Sequence, residues 1–352
     1  MTDQEIRKVF DHQERACRSL GSDFVGRLCG LCAERLQKGD PISDAILNWQ
    51  GDASGTGDSV PLRLMGALHA LVRADKNSEL AGVYPPHHSN VTVDDLWRAV
   101  SNSFTTHNDF ILDRLKGPPQ TNEVRRAAAT MALFLEVGRQ TGLPLILSEV
   151  GASAGINLHL DDFHIQLGDR HVGEASSSVK LSPKWYGNPA PEGKLEIVSR
   201  AGCDLIPVDP GLFEDRERLM SFIWADQQDR IERTAAALEI AANKTLRVEK
   251  ADAIDWLARR VTKPHEGSAH VIYSTIAWQY LPKGAQMRGE EIIRTAGDRA
   301  TKEAPLAWVM MEGDGEKPGA GLSMTLWPGA QTHTVGRTDY HGRWIDWVGW
   351  PE

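Results

Sequence analysis

The chain has only four cysteines in 352 residues, Cys17, Cys29, Cys32 and Cys203. So small a number excludes a disulfide framework. Cys29-x-x-Cys32 has the spacing of a redox or metal pair, but no second Cys or His pair lies nearby at zinc spacing. The pair falls in an apparently helical segment, Phe24 to Leu36, where residues three apart share a face, so it reads as part of a buried surface. His87-His88 follows Pro85-Pro86 as a turn without a carboxylate context, and no metal site is expected. Long apolar runs are missing too, which excludes a membrane-spanning helix. The charged start, Met1-Thr2-Asp3-Gln4-Glu5-Ile6-Arg7-Lys8, has no signal-peptide h-region, and the expected location is cytoplasmic. Basic residues are outnumbered, 39 Lys and Arg against 48 Asp and Glu, for a net charge of −9. That balance argues against nucleic acid and anionic membranes as partners. No internal repeat or low-complexity stretch is visible.

What remains is the composition of a globular protein, 41% hydrophobic and 25% charged, long enough for two domains. Residues 1–142 read as helical. Val9, Phe10, Ala16, Leu20, Phe24, Leu28, Leu31 and Leu36 recur at near-helical spacing, as do Leu62 to Val72 and Trp97 to Leu115. Gly117-Pro118-Pro119 breaks the chain, and Thr121 is a candidate N-cap for a helix from about Asn122 to Gln140. From Leu143 strands alternate with helices. Strands are expected at 145–150, near 163–167, from Leu195 to about Asp204, at Leu246 to Val248, at 271–273 and at 306–311, with a strand meander at the C-terminus. A long helix is expected from Phe213 to Ala242. The expected fold is α/β, a Rossmann-type, mostly parallel sheet with a C-terminal antiparallel hairpin, in residues 143–352, preceded by an all-helical domain in residues 1–142.

The most informative stretch is Glu149-Val150-Gly151-Ala152-Ser153-Ala154-Gly155, between the apolar Leu145-Ile146-Leu147 and Ile156-Asn157-Leu158. It reads as a buried strand, a tight glycine turn and a helix start. In open α/β sheets such a turn sits where cofactors bind. Acidic-x-Gly-x-Ser-x-Gly resembles the first motif of class I methyltransferases that use S-adenosylmethionine. Gly151-x-Ser153-x-Gly155 also matches the nucleophile elbow of α/β-hydrolases, and a turn without a ligand has the same pattern. The hydrolase fits less well, because about 140 helical residues precede the turn and no His-Gly-Gly-Gly motif lies upstream. Asp252 or Asp314 with His333 or His341 would complete a Ser153 triad.

A nucleoside crevice needs an acid for the ribose hydroxyls, a polar group for the adenine edge and apolar walls. Asp204, ending the second main strand, is placed for the ribose. Asp252, with Ala253 after the third, is placed for the adenine. Glu149 ends the first strand and either orients the turn or meets the methionine ammonium. Gly151, Ser153, Gly155 and Asn157 complete the cofactor-binding set.

Gln120-Thr121-Asn122-Glu123-Val124-Arg125-Arg126 is a dense polar run, either a capped helix start or a site element. It resembles the corresponding run of an uncharacterised bacterial family, domain of unknown function 2332. That family's Glu-x-Gly-Ala-Ser-Ala-Gly-(aliphatic)-Asn-Leu resembles Glu149 to Leu158 here. Further similar runs are Leu68-His69, Tyr84-Pro85, Gly202-Cys203-Asp204-Leu205-x-Pro207, Phe222-Ile223-Trp224-x-Asp226-Gln227 and Ile276-Ala277-Trp278-Gln279-Tyr280. The resemblance spans nearly the whole chain. It implies a methyltransferase-like domain and supplies no reaction. About 45 residues separate the glycine turn from the Asp204 strand, more than one helix needs, so an inserted hairpin or flap is expected near 160–195.

Positions after the fourth strand, Trp278-Gln279-Tyr280, are expected to face an acceptor, Trp278 by stacking and Gln279 by hydrogen bonding; alternatively Trp278 is a core aromatic. On the long helix, Trp224, Asp226 and Gln227 interrupt the apolar face and are read as site residues, although Asp226 and Arg230 at i,i+4 could simply pair. Gln120, Asn122, Glu123 and Arg126 are expected to bind substrate as the helical domain closes over the crevice. His69 is expected in the core. The expected function is S-adenosylmethionine-dependent methyl transfer to a small molecule, with Trp278, Gln279 and Asp226 at the reacting centre. A serine hydrolase using Ser153 and a noncatalytic nucleoside or metabolite binder are the alternatives.

Overall fold

Apolar residues at helical spacing build seven helices in the first 115 residues: α1 (Asp3–Ser19), α2 (Asp23–Arg35), α3 (Pro41–Leu47), α4 (Val60–Arg73), α5 (Ser78–Val83), α6 (Val93–Thr106) and α7 (Asn108–Leu115). The computed structural model describes residues 1–351. Local chemistry sets the helix starts. Thr2 and Glu5 form a reciprocal capping box on α1, and Asp40 and Thr92 cap α3 and α6. The three cysteines of this region are buried and free, so Cys29 and Cys32 belong to the apolar face of α2.

Helix α8 (Arg126–Thr141) follows an irregular stretch and is buried from Ala127 to Gly138. It starts four residues later than expected, and Arg125, not Thr121, is the cap position, with no side-chain capping bond to the helix. Twelve strands come next: β1 (Leu145–Val150), β2 (His164–Leu167), β3 (Arg170–Gly173), β4 (Lys180–Leu181), β5 (Lys184–Gly187), β6 (Ile197–Asp204), β7 (Glu249–Lys250), β8 (Ala269–Thr275), β9 (Leu306–Glu312), β10 (Ala320–Trp327), β11 (Gln331–Thr338) and β12 (Trp344–Trp347). Between them run α9 (Phe213–Ser221), α10 (Gln228–Ala242), α11 (Ala253–Arg260) and α12 (Lys283–Gly297).

Nine strands form one sheet in the order β5-β12-β11-β10-β9-β8-β1-β6-β7. From β7 to β9 every neighbouring pair is parallel, and β9 to β12 form an antiparallel meander. The sheet is therefore mostly parallel α/β, as expected, with a meander extending the expected hairpin. Strands β1 and β8 are buried at every position, which is why they read as continuous apolar runs. The chain leaves β1 first toward β6 and β7, then returns to β8 and β9 on the other side, so the strand order reverses at β1. The 160–195 insertion is a separate three-stranded sheet, β3-β2-β4, whose continuation β5 pairs with β12 at the edge of the large sheet.

The chain divides into two compact units: Met1–Thr121 with Phe213–Glu232, and Asn122–Leu212 with the residues from Arg233 onward. This differs from a single cut at residue 142. Helix α8 packs within the sheet-bearing unit, where Phe134 meets Tyr273 edge-on at 5.0 Å. Residues 213–232 join the helical unit because their apolar side chains fill its core: Phe222 lies where a Cβ on Gly66 would stand, and Trp224 and Ala225 belong to the helical cluster. The expected single helix from Phe213 to Ala242 is two helices, broken at 222–227.

Candidate functional site

The glycine turn leaves β1 at the point where the strand order reverses, the position at which open α/β sheets bind ligands. Gly151, Ser153 and Gly155 all have positive φ, at 72°, 55° and 69°. At Gly151 a Cβ would stand 2.5 Å from the Ala277 side chain, and at Gly155 one would stand 2.9 Å from Val248. Both glycines therefore serve conformation and close packing together. The element after the turn is a 3₁₀ segment, Ile156–Asp162, rather than an α-helix.

Asp204, at the end of β6, braces this turn. Its Oδ2 accepts from the Ser153 N–H at 2.9 Å and its Oδ1 from the Ile206 N–H at 2.9 Å. The Gln120–Arg126 run converges on the same place from Asn122 onward. Asn122 Oδ1 accepts from the Ala154 N–H at 3.2 Å, and Asn157 Nδ2 donates to the Glu123 carbonyl at 3.2 Å. Glu123 is buried, with the Arg233 guanidinium 3.9 Å from its carboxylate. Arg126 donates to the Thr275 carbonyl at the end of β8 and to the Tyr340 carbonyl. The two longest sequence motifs thus meet at one end of the sheet. Two buried polar atoms there, Ser153 Oγ and Asn157 Oδ1, have no hydrogen-bond partner among the described residues.

Glu149 lies beneath the turn, paired in register with Tyr273 of β8, whose hydroxyl donates to Glu149 Oε2 at 3.0 Å. Burial pushes the Glu149 carboxyl up to about 8; the Tyr273 hydrogen bond opposes this, the Asp204 charge reinforces it and Arg126 opposes it. Glu149 is therefore mostly the neutral acid at pH 7. Tyr273, itself pushed up by burial, escaped the sequence reading, although its parallel register with Glu149 is the signal that links them.

The end of β9 supplies a second carboxylate. Glu312 Oε1 accepts from Ser274 Oγ at 2.7 Å and from the Ala277 and Trp278 N–H groups at 3.0 Å each; Oε2 accepts from the Gln279 N–H at 3.4 Å. This fixes the strained turn after β8, where Ile276 has φ 52°.

Several expected site residues have other duties. Trp278 is 5% exposed in an apolar cluster, 5.4 Å from Trp308, with its six-membered ring where a Cβ on Gly289 would lie. It is a core aromatic rather than an acceptor-stacking group. Gln279 Oε1 accepts from the Gly313 N–H at 2.8 Å. Asp252 is exposed and N-caps α11, its Oδ1 accepting from the Ile254 and Asp255 N–H groups; Ala253 is the first residue of that helix. Trp224, Asp226 and Gln227 lie in the break between α9 and α10. Asp226 does not pair with Arg230. It accepts from Ser22 Oγ at 2.5 Å and from the Phe24 N–H at 3.0 Å, at the start of α2. Gln227 donates to the Leu20 carbonyl and accepts from Arg230. These three side chains lock residues 222–227 to the helical unit. An Asp226→Ala variant is expected to lose about 2 kcal/mol of stability, read by urea denaturation, with ligand binding by the sheet-bearing unit unchanged.

His69 is in the helical core, its Nδ1 3.1 Å from the Ser221 carbonyl, and burial takes it down to about 4. The triad suggested for Ser153 does not assemble with His333. His333 sits on β11, four strands from β1, which at about 4.8 Å per strand is roughly 19 Å away. Asp314 is taken by Arg337 in a two-pronged pair. No cluster of three or more His, Cys, Asp or Glu that would hold a metal occurs among the described residues. Nor is any helix there long and apolar enough to cross a membrane.

Fold and site together define an α/β protein with a braced glycine turn at the switch point of a mostly parallel sheet. The chain belongs to the DUF2332 family, described as "Uncharacterized protein conserved in bacteria", whose sequence model matches residues 7–347. No curated protein and no solved structure matches it.

Proposed function

We propose that the sheet-bearing unit is a class I methyltransferase-like domain that binds S-adenosylmethionine at the glycine turn and methylates a small molecule. The observation that carries this reading is the turn's position at the strand-order reversal, together with the two unpartnered polar atoms buried beside it. Ser153 Oγ and Asn157 Oδ1 fit a polar ligand that supplies the missing partners. When bound, S-adenosylmethionine supplies a methyl group already activated on sulfur. The chain's own residues hold and orient it. Asp204 keeps the turn in place and has lone pairs left for ribose hydroxyls. Asp252 uses one oxygen as a helix cap, and the other would accept from an adenine amino group. Glu149, protonated at Oε1 or Oε2, supports the turn as a neutral group that a cationic ligand would ionise.

Calorimetric titration with S-adenosylmethionine and S-adenosylhomocysteine tests this. Binding on the order of 10 µM is expected, weakened at least about tenfold by Asp252→Ala. Asp252→Asn, which keeps a capping oxygen, separates lost ligand contact from lost helix stability. Ser153→Ala should leave binding within a few-fold. Absence of heat at millimolar cofactor sinks the proposal, and covalent labelling of Ser153 by a fluorophosphonate would replace it with a hydrolase.

A further inference from the structure

A cavity lies away from the residues just described. It holds about 570 Å³ and opens between the 3₁₀ segment Ile156–Asp162, strand β6 and the connection ahead of β7. Glu149, Ser153, Asp204 and Asp252 are not among its walls. Its volume falls in the range of small-molecule sites, but its lining is polar where such sites are mostly apolar.

Three cations and two carboxylates line it: Arg200, Lys244 and Arg247 with Asp161 and Asp162. Arg200, on the strand, is fixed by a two-pronged pair with Asp161 at 2.6 and 2.8 Å and by donation to the Leu158 carbonyl at 2.7 Å. Lys244 pairs with Asp162 at 2.8 Å and Arg247 with Asp209 at 3.2 Å, and both remain more than a third exposed. His159 is different. It is 4% exposed, makes no hydrogen bond among the described residues, and has the Asp162 carboxylate 3.9 Å from its Nδ1. Burial, reinforced by Arg200, holds its ring neutral. A buried imidazole with unmet hydrogen-bonding capacity, facing a cavity lined by three cations and two carboxylates, calls for a ligand with both a negative group and neutral polar groups.

We propose that this cavity is a ligand site for a small phosphate monoester that carries hydroxyl groups, a sugar phosphate in chemical class. Lys244 and Arg247 at the mouth take the phosphate, the guanidinium as a planar fork and the ammonium as a point charge. His159 and the remaining lone pairs of the Asp161 and Asp162 carboxylates take the hydroxyls. The proposal stands apart from methyl transfer, since Glu149, Ser153, Asp204 and Asp252 lie outside the cavity's walls.

Ribose 5-phosphate, ribose and inorganic phosphate are the probes, titrated into the full chain by calorimetry. Ribose 5-phosphate is expected to bind on the order of 0.1 mM, more tightly than either fragment. A Lys244→Gln, Arg247→Gln double variant should weaken it at least about tenfold, and His159→Asn should weaken ribose 5-phosphate while leaving the affinity for phosphate unchanged. The changed cations are exposed, and a melting temperature unchanged in the double variant shows that the fold is intact. Asp252→Asn is expected to have no effect. The proposal is overturned if ribose 5-phosphate gives no heat at ten millimolar-scale concentrations, if the double variant binds as well as the natural protein, or if inorganic phosphate binds equally tightly.

Discussion

A Glu149→Gln protein is expected to melt about 5–10 °C above the natural protein at pH 8 and close to it at pH 5. The cause is the buried carboxyl, raised from an ordinary 4.5 to about 8. Between those values the folded chain keeps a proton that the unfolded chain has given up. Stability is fully present below pH 4.5 and falls as pH rises through 8. The loss is as much as about 4 kcal/mol. Glutamine has no proton to lose and still accepts from Tyr273. Buried histidines act in the opposite sense. Burial depresses His159 to about 4 and His270 to about 3, so their contribution is present above the unfolded value of 6.5 and is lost as pH falls. These histidines, with His265 also held low by burial, outweigh one carboxyl below pH 6.5, and Glu149 acts above it. The sheet-bearing unit should be most stable near pH 6.5, losing about 1.4 kcal/mol per pH unit above it. Thermal melts of both proteins across pH 5–8 test this; an equal shift at every pH would count against a neutral buried Glu149.

Asp204→Ala should be the most damaging change to the site, costing about 3 kcal/mol and abolishing ligand binding at the glycine turn. Two backbone N–H groups, of Ser153 and Ile206, lose a charged acceptor at once. Ser153 also holds a left-handed backbone conformation that nothing local favours in a residue with a Cβ. Asp204→Asn keeps one acceptor oxygen and should cost less than half as much. Hydrogen exchange at Ser153 and Ile206, measured against a distant strand such as β10, separates local loosening from global destabilisation. Unchanged protection at both amides in the alanine variant would show that Asp204 does not brace the turn.

These residues also show where the sequence was readable. Strands β1, β8 and β9 were visible because burial on two faces demands apolar runs, and the glycine turn because positive φ selects glycine. The roles of individual acids were not visible. Asp204 and Asp252 each stand at a strand end, as a nucleoside site requires, yet both also serve backbone N–H groups, and strand-end position is the same for either duty. Asp226 looked like a helix-face residue because a single helix was expected from Phe213 to Ala242. The break there is set by Ser22 and Phe24, some two hundred positions away, and no local pattern records such a contact. Trp278 is defined by the absent side chain of Gly289. The Asn122–Arg126 run was recognisable as polar and dense, but its convergence on the turn depends on how α8 enters the sheet-bearing unit.

The insertion has a consequence for behaviour in concentrated solution. Without β5, strand β12 would present its outer backbone groups as a template for a neighbouring chain. With β5 in place, the large sheet ends at one side in a four-residue strand, followed by Asn188-Pro189, and at the other in the two-residue β7. Neither border is long enough to recruit a foreign strand, so the nine-stranded sheet is shielded from edge-to-edge polymerisation by a segment that the crevice itself does not need.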